Sequence, residues 1–287
     1  MPLLELLLGG LMLGGLYALM ACGLNLIFGV MRVINFAHGE LMAIGALSTV
    51  TLVGALKLSL VLAIVLVPLL TALIGLAMHR LVLQRLADVP MIMSLLATYA
   101  ISTILVNGAI LTWGGGYQGL PGVLSGSVQV LGVAVPLSRL VAFSVALAVS
   151  LGVWWVLEKT RFGRAVRSVS QAPELAEISG ISIERIRNAT FALGAGMAGL
   201  AGVLMAPTIA SDPQLGTRFL IKAFAVIIVG GMGSYPGAIA AALLLGVIEV
   251  FGGYFTGAVI GSALLYLLML LVLLVRPRGL LGVGART

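Results

Sequence analysis

Charge is scarce in this chain. Of 287 residues only 9% are Asp, Glu, Lys or Arg, while 61% are hydrophobic, and the mean hydropathy is +1.22. A soluble domain carries about 25% charged residues, so a water-facing surface of ordinary composition is excluded. Cysteine is nearly absent: Cys22 stands alone, which excludes an intrachain disulfide. Histidine occurs only as His38 and His79, and no ligand cluster for a metal surrounds either. Lysine occurs only as Lys57, Lys159 and Lys222, none of them in a GxxxxGK[ST] loop, so the chain encodes no Walker-type ATPase. No nucleophile–base–acid constellation is present, which makes catalysis the weakest of the function classes and leaves no catalytic residue to name. The net charge of +7 does not indicate nucleic acid, because the basic residues sit at helix ends and in loops, where orientation signals belong.

Apolar runs of about 20 residues, the length a helix needs to cross a bilayer, recur along the chain. Backbone groups in lipid must be satisfied internally, so the runs are helices; the alternation of a membrane β-barrel is missing. The expected fold is an all-α polytopic bundle, one transmembrane domain over residues 1–287. Its nine expected spans cover roughly 3–28, 36–56, 58–79, 91–112, 138–157, 188–207, 219–231, 236–255 and 258–275. The seventh is short and is expected to be tilted, broken or re-entrant. The first lacks the basic start and cleavage site of a signal peptide and is expected to stay as a membrane helix. The uncharged, glycine-rich stretch Trp113 to Ser138 reads as an external loop or a shallow hairpin.

What charge there is gathers in one island, Glu158 to Arg187, which holds 10 of the 25 charged residues. Placing the island in the cytosol puts Arg32, Arg80, Arg85, the island's six, Arg276, Arg278 and Arg286 inside. Lys57, Arg139, Arg218 and Lys222 then fall outside. The bias predicts an external N-terminus and a cytosolic C-terminus. Within the island, Arg161, Arg164 and Arg167 recur every three residues and share one helical face. Pro173 opens a helix at its first position, and Glu174 favours the first-turn dipole. Gly180 closes that helix in a left-handed conformation, and Ser182 caps the next. The island therefore reads as a short, bounded docking helix between two membrane helices.

Three other features stand out. Asn35-Phe36-Ala37-His38-Gly39-Glu40 is a polar knot between the first two spans; charge in mid-membrane costs about 2.5–3.5 kcal/mol on insertion scales. The knot reads equally as a gate or as an interfacial turn, and Val30 to Glu40 as a cytosolic turn or as a re-entrant piece lining a cavity. Gly230-Gly231-Met232-Gly233-Ser234-Tyr235-Pro236-Gly237 is a second turn whose Gly and Pro content demands unusual backbone angles. Glu249 is the one acid in a late span, expected to make a polar contact in the bundle or at an outer vestibule rather than to relay protons. Small residues at four-residue spacing (Gly10 and Gly14; Ala195 and Gly199; Ala238, Ala242 and Gly246) fit close helix packing. Glycine-rich segments Gly9 to Gly23 and Gly194 to Gly202 hint at an internal repeat.

Taken with Gly15-Leu16-Tyr17-Ala18-Leu19, the knot, the Pro173-to-Ile181 segment and the Gly230-to-Gly237 turn resemble the branched-chain amino acid ABC transporter permeases of the LivH type, in order and over nearly the whole chain. The knot is the most specific element. The resemblance implies a second permease of LivM type, two ATP-binding subunits of LivG and LivF type that carry ATP and Mg, and a periplasmic amino-acid-binding protein. The chain itself would bind no cofactor and would sit, multi-pass, in the bacterial cytoplasmic membrane. ATPase coupling would fall to Arg164, Pro173, Glu174, Ala176, Glu177 and Gly180, although the segment departs from the strict EAA pattern of other importers. Gate and pathway candidates are Asn35, Phe36, His38, Gly39, Glu40, Gly230, Gly231, Gly233, Ser234 and Gly237. Relatives of this architecture carry urea, short amides or other amino acids, so the ligand is a default by resemblance. A stand-alone secondary carrier and an integral membrane enzyme are the competing classes.

Overall fold

A computed structural model describes residues 2–86, 89–120 and 122–282; Arg286, counted in the orientation bias, lies outside them. Eleven α-helices are present among the described residues. They are α1 (Pro2–Met31), α2 (His38–Thr49), α3 (Leu60–Leu81), α4 (Met91–Trp113), α5 (Leu137–Lys159), α6 (Arg161–Gln171), α7 (Pro173–Ile178), α8 (Ile183–Met205), α9 (Leu215–Gly230), α10 (Tyr235–Thr256) and α11 (Ala258–Val275). Seven of them (α1, α3, α4, α5, α8, α10 and α11) are long and apolar enough to cross a membrane. The other two expected spans are shorter: α2 continues through a π-helical turn, Val50–Ala55, and α9 has 16 residues. The stretch before α5 forms an antiparallel hairpin of β1 (Ser127–Val130) and β2 (Val133–Pro136), turning at Leu131 and Gly132, both with positive φ. That turn geometry matches the twist of a tight hairpin. The hairpin packs on Met12 of α1, so it marks the end of the bundle opposite the island.

Small residues set the helix spacing. A Cβ at Gly14 would lie 2.7 Å from the Ala242 carbonyl oxygen, and one at Gly246 would lie 2.5 Å from that of Gly10, so α1 and α10 meet backbone to backbone. Around Gly75 and Gly199, α3 and α8 also approach closely, there with the Ala195 methyl and the Thr71 side chain set against the glycines. Both seams are the close approach that small residues permit in lipid, where van der Waals packing drives association.

The hinted repeat is present. Gly23 of α1 and Gly194 of α8 approach reciprocally, each Cβ position lying 2.8 or 2.7 Å from the other's carbonyl oxygen. Gly39 and Gly216, the second residues of α2 and α9, do the same at 2.4 and 2.1 Å. Reciprocal pairs of this kind mark a local two-fold axis relating α1–α3 to α8–α10, with the α1–α10 seam answering the α8–α3 seam.

The axis explains the two short helices. α1 ends at Met31; Arg32 follows with a left-handed φ of 53°, and the chain then turns back into the bundle. His38 Nε2, at the start of α2, donates to the Met20 carbonyl oxygen at 3.2 Å. Met20 lies about 16 Å along the axis from Met31 at 1.5 Å per residue. α2 therefore begins deep inside, and α9, which meets it at Gly216, does too. Val30 to Glu40 is thus the re-entrant alternative, and the interfacial-turn reading of the knot is corrected. The seventh expected span starts four residues earlier than 219, which places Arg218 on α9 together with Lys222.

Candidate functional site

Two polar regions stand at different depths. The first is the island. α5 ends at Lys159 and the chain turns sharply into α6, where a Cβ at Gly163 would collide with the Leu157 backbone. Thr160 caps α6 by accepting from Gly163 N at 3.3 Å. Phe162, Val166 and Val169 pack inward, leaving Arg161, Arg164 and Arg167 on the exposed face, as their spacing predicts. Arg167 donates to the Leu157 carbonyl and lies 3.7 Å from Glu158. Ser170 Oγ donates to the Gly29 carbonyl at 2.5 Å, tying α6 to the end of α1.

α7 follows as read: Pro173 at its first turn, Glu174 beside it, and Gly180 at φ +81°. Gly180 N donates to Glu177 O at 2.9 Å and Ile181 N to Ala176 O at 3.0 Å, which closes the helix end. Ser182 then caps α8, accepting from Arg185 N at 3.5 Å. Only Ala176 of α7 is buried. Glu174 and Glu177 are exposed, and so are two residues the charge-based reading passed over, Leu175 at 65% and Ile178 at 83%. Isolated exposed apolar residues are ordinary, but these two crown a helix outside the span that would otherwise have no reason to be apolar. Their period within PELAEI was the available signal.

The second region is the re-entrant crossing. Asn35 Oδ1 accepts from Ala37 N at 3.1 Å, and His38 N donates to Asn35 O at 3.3 Å, which starts α2. Thr98 of α4 clamps the returning segment: its hydroxyl donates to Ile34 O at 3.1 Å and accepts from Phe36 N at 3.3 Å. Phe36 packs between Tyr99 and Phe224. Glu40, 2% exposed as a residue, accepts on Oε1 from Ser102 (3.2 Å) and Thr217 (2.9 Å). A cavity of about 430 Å³ opens beside it, lined also by Tyr99, Thr103, Asn107 and Arg218. Tyr99, Thr103 and Asn107 recur every four residues along α4 and are exposed. A polar stripe on a membrane helix faces water or protein and not lipid tails. This stripe was missed, although its i, i+4 spacing inside an apolar run was a legible signal.

The structure separates the remaining candidates. Gly230, Gly231, Gly233, Ser234 and Gly237 form the α9–α10 turn, apart from the knot. Gly231 and Gly233 take positive φ (103° and 85°), and Ser234 caps α10 through Gly237 N at 3.3 Å. A Cβ at Gly230 would meet the Gly237 carbonyl oxygen at 2.4 Å. Asn25 of α1 pins the turn, donating to Ser234 O at 2.8 Å and accepting from Gly233 N at 2.7 Å. His79 is held by Asn188 at 2.8 Å, far along the sequence from His38 and its carbonyl partner.

Glu249 makes the polar contact in the bundle that was expected, with a partner the sequence did not announce. Lys222 Nζ lies 2.6 Å from Oε1, Tyr17 OH donates to Oε2 at 2.6 Å, and Ser262 donates to Oε1 at 3.0 Å. The cluster lies beside a cavity of about 260 Å³ lined by Met12, Leu16 and Phe219 and by Arg139 near the hairpin end.

Over residues 6–273 the sequence matches the family described as the branched-chain amino acid transport system, permease component. The chain belongs to that family. It is 31% identical to the high-affinity branched-chain amino acid transport system permease protein BraD of Pseudomonas aeruginosa, covering 97% of this chain and 95% of that one. It is 29% identical to the corresponding LivH of Escherichia coli K12 over the same shares, and 30% identical to a probable LivH of Methanocaldococcus jannaschii over 96% and 91%. Among solved structures, PsaBC from Streptococcus pneumoniae in complex with Fab aligns with a TM-score of 0.51 at 15% identity, covering 94% of this chain and 91% of that one; that likeness speaks to fold alone. The long apolar helices and the family together make this permease component a multi-pass membrane protein, a transport subunit and not an enzyme.

Proposed function

We propose that this chain is the LivH-type permease of an ATP-binding-cassette importer that moves branched-chain amino acids into the cytoplasm. Its partners are a second permease of LivM type, two ATP-binding subunits of LivG and LivF type that hold ATP and Mg, and a periplasmic binding protein that delivers the ligand. The protein resides in the bacterial cytoplasmic membrane as one permease domain, with the α6–α7 loop and the C-terminus in the cytosol.

The observation that carries this reading is the α6–α7 unit. It is a capped, two-helix projection with an arginine face (Arg161, Arg164, Arg167) and two outward apolar residues (Leu175, Ile178). α6 is bonded directly to the end of α1. A chain without a nucleotide-binding loop needs such a handle to receive work from ATP hydrolysis elsewhere. Closure of the ATPase dimer pushes α7; α6 transmits the shift to α1 and α7 to α8, the two helices that cross at the Gly23–Gly194 axis. The crossing at Asn35, Phe36, His38, Gly39 and Glu40 then alternates between open and closed, with the Gly230–Gly237 turn moving beside α1 through Asn25. Bistable helix packing of this kind turns a small displacement into a change of access.

Purification in mild detergent at native expression, with the co-purifying proteins identified by mass spectrometry, tests the assembly. Two P-loop ATPases and a second permease are expected, and leucine uptake is expected from the reconstituted complex. A chain that purifies alone, under conditions where a control ABC importer keeps its ATPases, overturns the reading. Uptake of urea or short amides in place of leucine would reassign the ligand.

A further inference from the structure

We propose that Glu40 is the group on which the transported amino acid rests its ammonium, in the cavity between α2, α4 and α9, with Arg218 receiving the carboxylate. The proposal rests on the importer reading given above and names the chemistry of one site within it.

The carboxylates of Glu40 on α2 and Glu249 on α10 are treated differently. Glu249 has its cation, Lys222 at 2.6 Å, with hydroxyls from Tyr17 and Ser262 filling both oxygens. Glu40 has two hydroxyls on Oε1, from Ser102 and Thr217, while Oε2 is buried and has no hydrogen-bond partner among the described residues. The ion pairs present there are Arg167–Glu158, Arg218–Asp212 and Lys222–Glu249; none involves Glu40. An acid buried without a counter-charge in low dielectric is strongly disfavoured, and the two hydroxyls that hold Oε1 in place leave the other oxygen for a donor that comes and goes. A permanent lysine would make the same pocket inert.

The surroundings fit a zwitterion. Glu40 stands in the first turn of α2 where α2 and α9 begin against each other, at the axis between the repeats, the place where broken helices form transport sites. The cavity of about 430 Å³ has room for a single amino acid. Arg218 lines it, held by Asp212 through two hydrogen bonds of 3.1 and 2.9 Å while its side chain remains 46% exposed, so its guanidinium is oriented and has free N–H groups. Phe36, Val106, Leu220 and Ile221 supply apolar wall for an aliphatic side chain.

The test uses the whole importer in proteoliposomes. Wild-type uptake of radiolabelled leucine is measured first, since its absence would refute the importer reading itself and not the role of Glu40. Glu40→Gln keeps the shape and the hydroxyl partners and is expected to lower uptake at least tenfold while the ATPases stay bound; Glu40→Asp is expected to recover part of it. Uptake by Glu40→Gln within twofold of wild type overturns the proposal. A second measurement leaves Glu40 intact. Thr103→Cys places an exposed thiol on the cavity, Cys22 being buried, and its alkylation rate is read with added leucine, 4-methylpentanoate, which lacks the ammonium, or sodium chloride. Protection by leucine and not by the other two is expected. Equal protection by 4-methylpentanoate, protection by sodium alone, or no protection by leucine overturns the assignment, including when Glu40→Gln fails to assemble.

Discussion

Truncating Leu175 and Ile178 to alanine perturbs docking without touching the fold, because both side chains already face solvent, at 65% and 83% exposure. Each truncation removes three carbons, and a buried methylene is worth about 0.8 kcal/mol. Weighted by the exposed fraction still available to be buried in an ATPase cleft, the losses are about 1.6 kcal/mol for Leu175 and about 2.0 kcal/mol for Ile178. Together they amount to about 3.6 kcal/mol, or about 400-fold in affinity. The assay is a titration of the two ATP-binding subunits onto the permease pair in nanodiscs, wild type against the double variant, with unfolding midpoints as the control for folding. Charge reversal at Glu174 and Glu177 is measured beside it. The midpoint is expected to hold while affinity falls by two orders of magnitude or more, and charge reversal to cost less. A change below about threefold, about 0.65 kcal/mol, refutes the argument that apolar contact seats α7, and a larger loss from the glutamates would return the interface to charge.

Gly180→Pro is expected to uncouple ATP hydrolysis from uptake with membrane insertion intact, because proline is fixed near φ −65° and the residue sits at +81°; normal uptake would remove α7 from the coupling path. Gly216→Ala drives a Cβ to within 2.1 Å of the Gly39 carbonyl oxygen and is expected to cost about 1–3 kcal/mol as overpacking, read as a lowered unfolding midpoint in detergent. Lys222→Met leaves Glu249 without its cation and is expected to destabilise by about 3–5 kcal/mol; adding Glu249→Gln should restore most of that midpoint, and equal losses in the two variants would count against a charge-pair origin.

Much of this architecture was open to reading because its causes are local. The apolar runs became helices, seven of them long enough to cross, close to the expected bounds, since run length and hydropathy decide what lipid accepts. Pro173, Gly180 and Ser182 do in space what their stereochemistry requires. The arginines at 161, 164 and 167 face outward because three-residue spacing leaves them no other face when Val166 and Val169 must be buried. The knot was harder. Its composition marks it as expensive but gives no depth, and the six residues from Arg32 to Ala37 carry no period that separates a surface turn from one that climbs back into the bundle.

The sequence by itself determined the solvent of this protein and the kind of element it builds, since each follows from side-chain chemistry within one or two turns. Tertiary structure decided where those elements start in depth and which charges meet. Gly39 touches Gly216, Glu40 meets Thr217, and Lys222 finds Glu249 and Tyr17. These pairs lie from 27 to 205 residues apart, and no local pattern records them. They arise because a two-fold arrangement of glycine-lined helices brings two helix starts to one point in the interior. Within the same bundle the Glu249 carboxylate receives a lysine, and the Glu40 carboxylate keeps an oxygen without a partner.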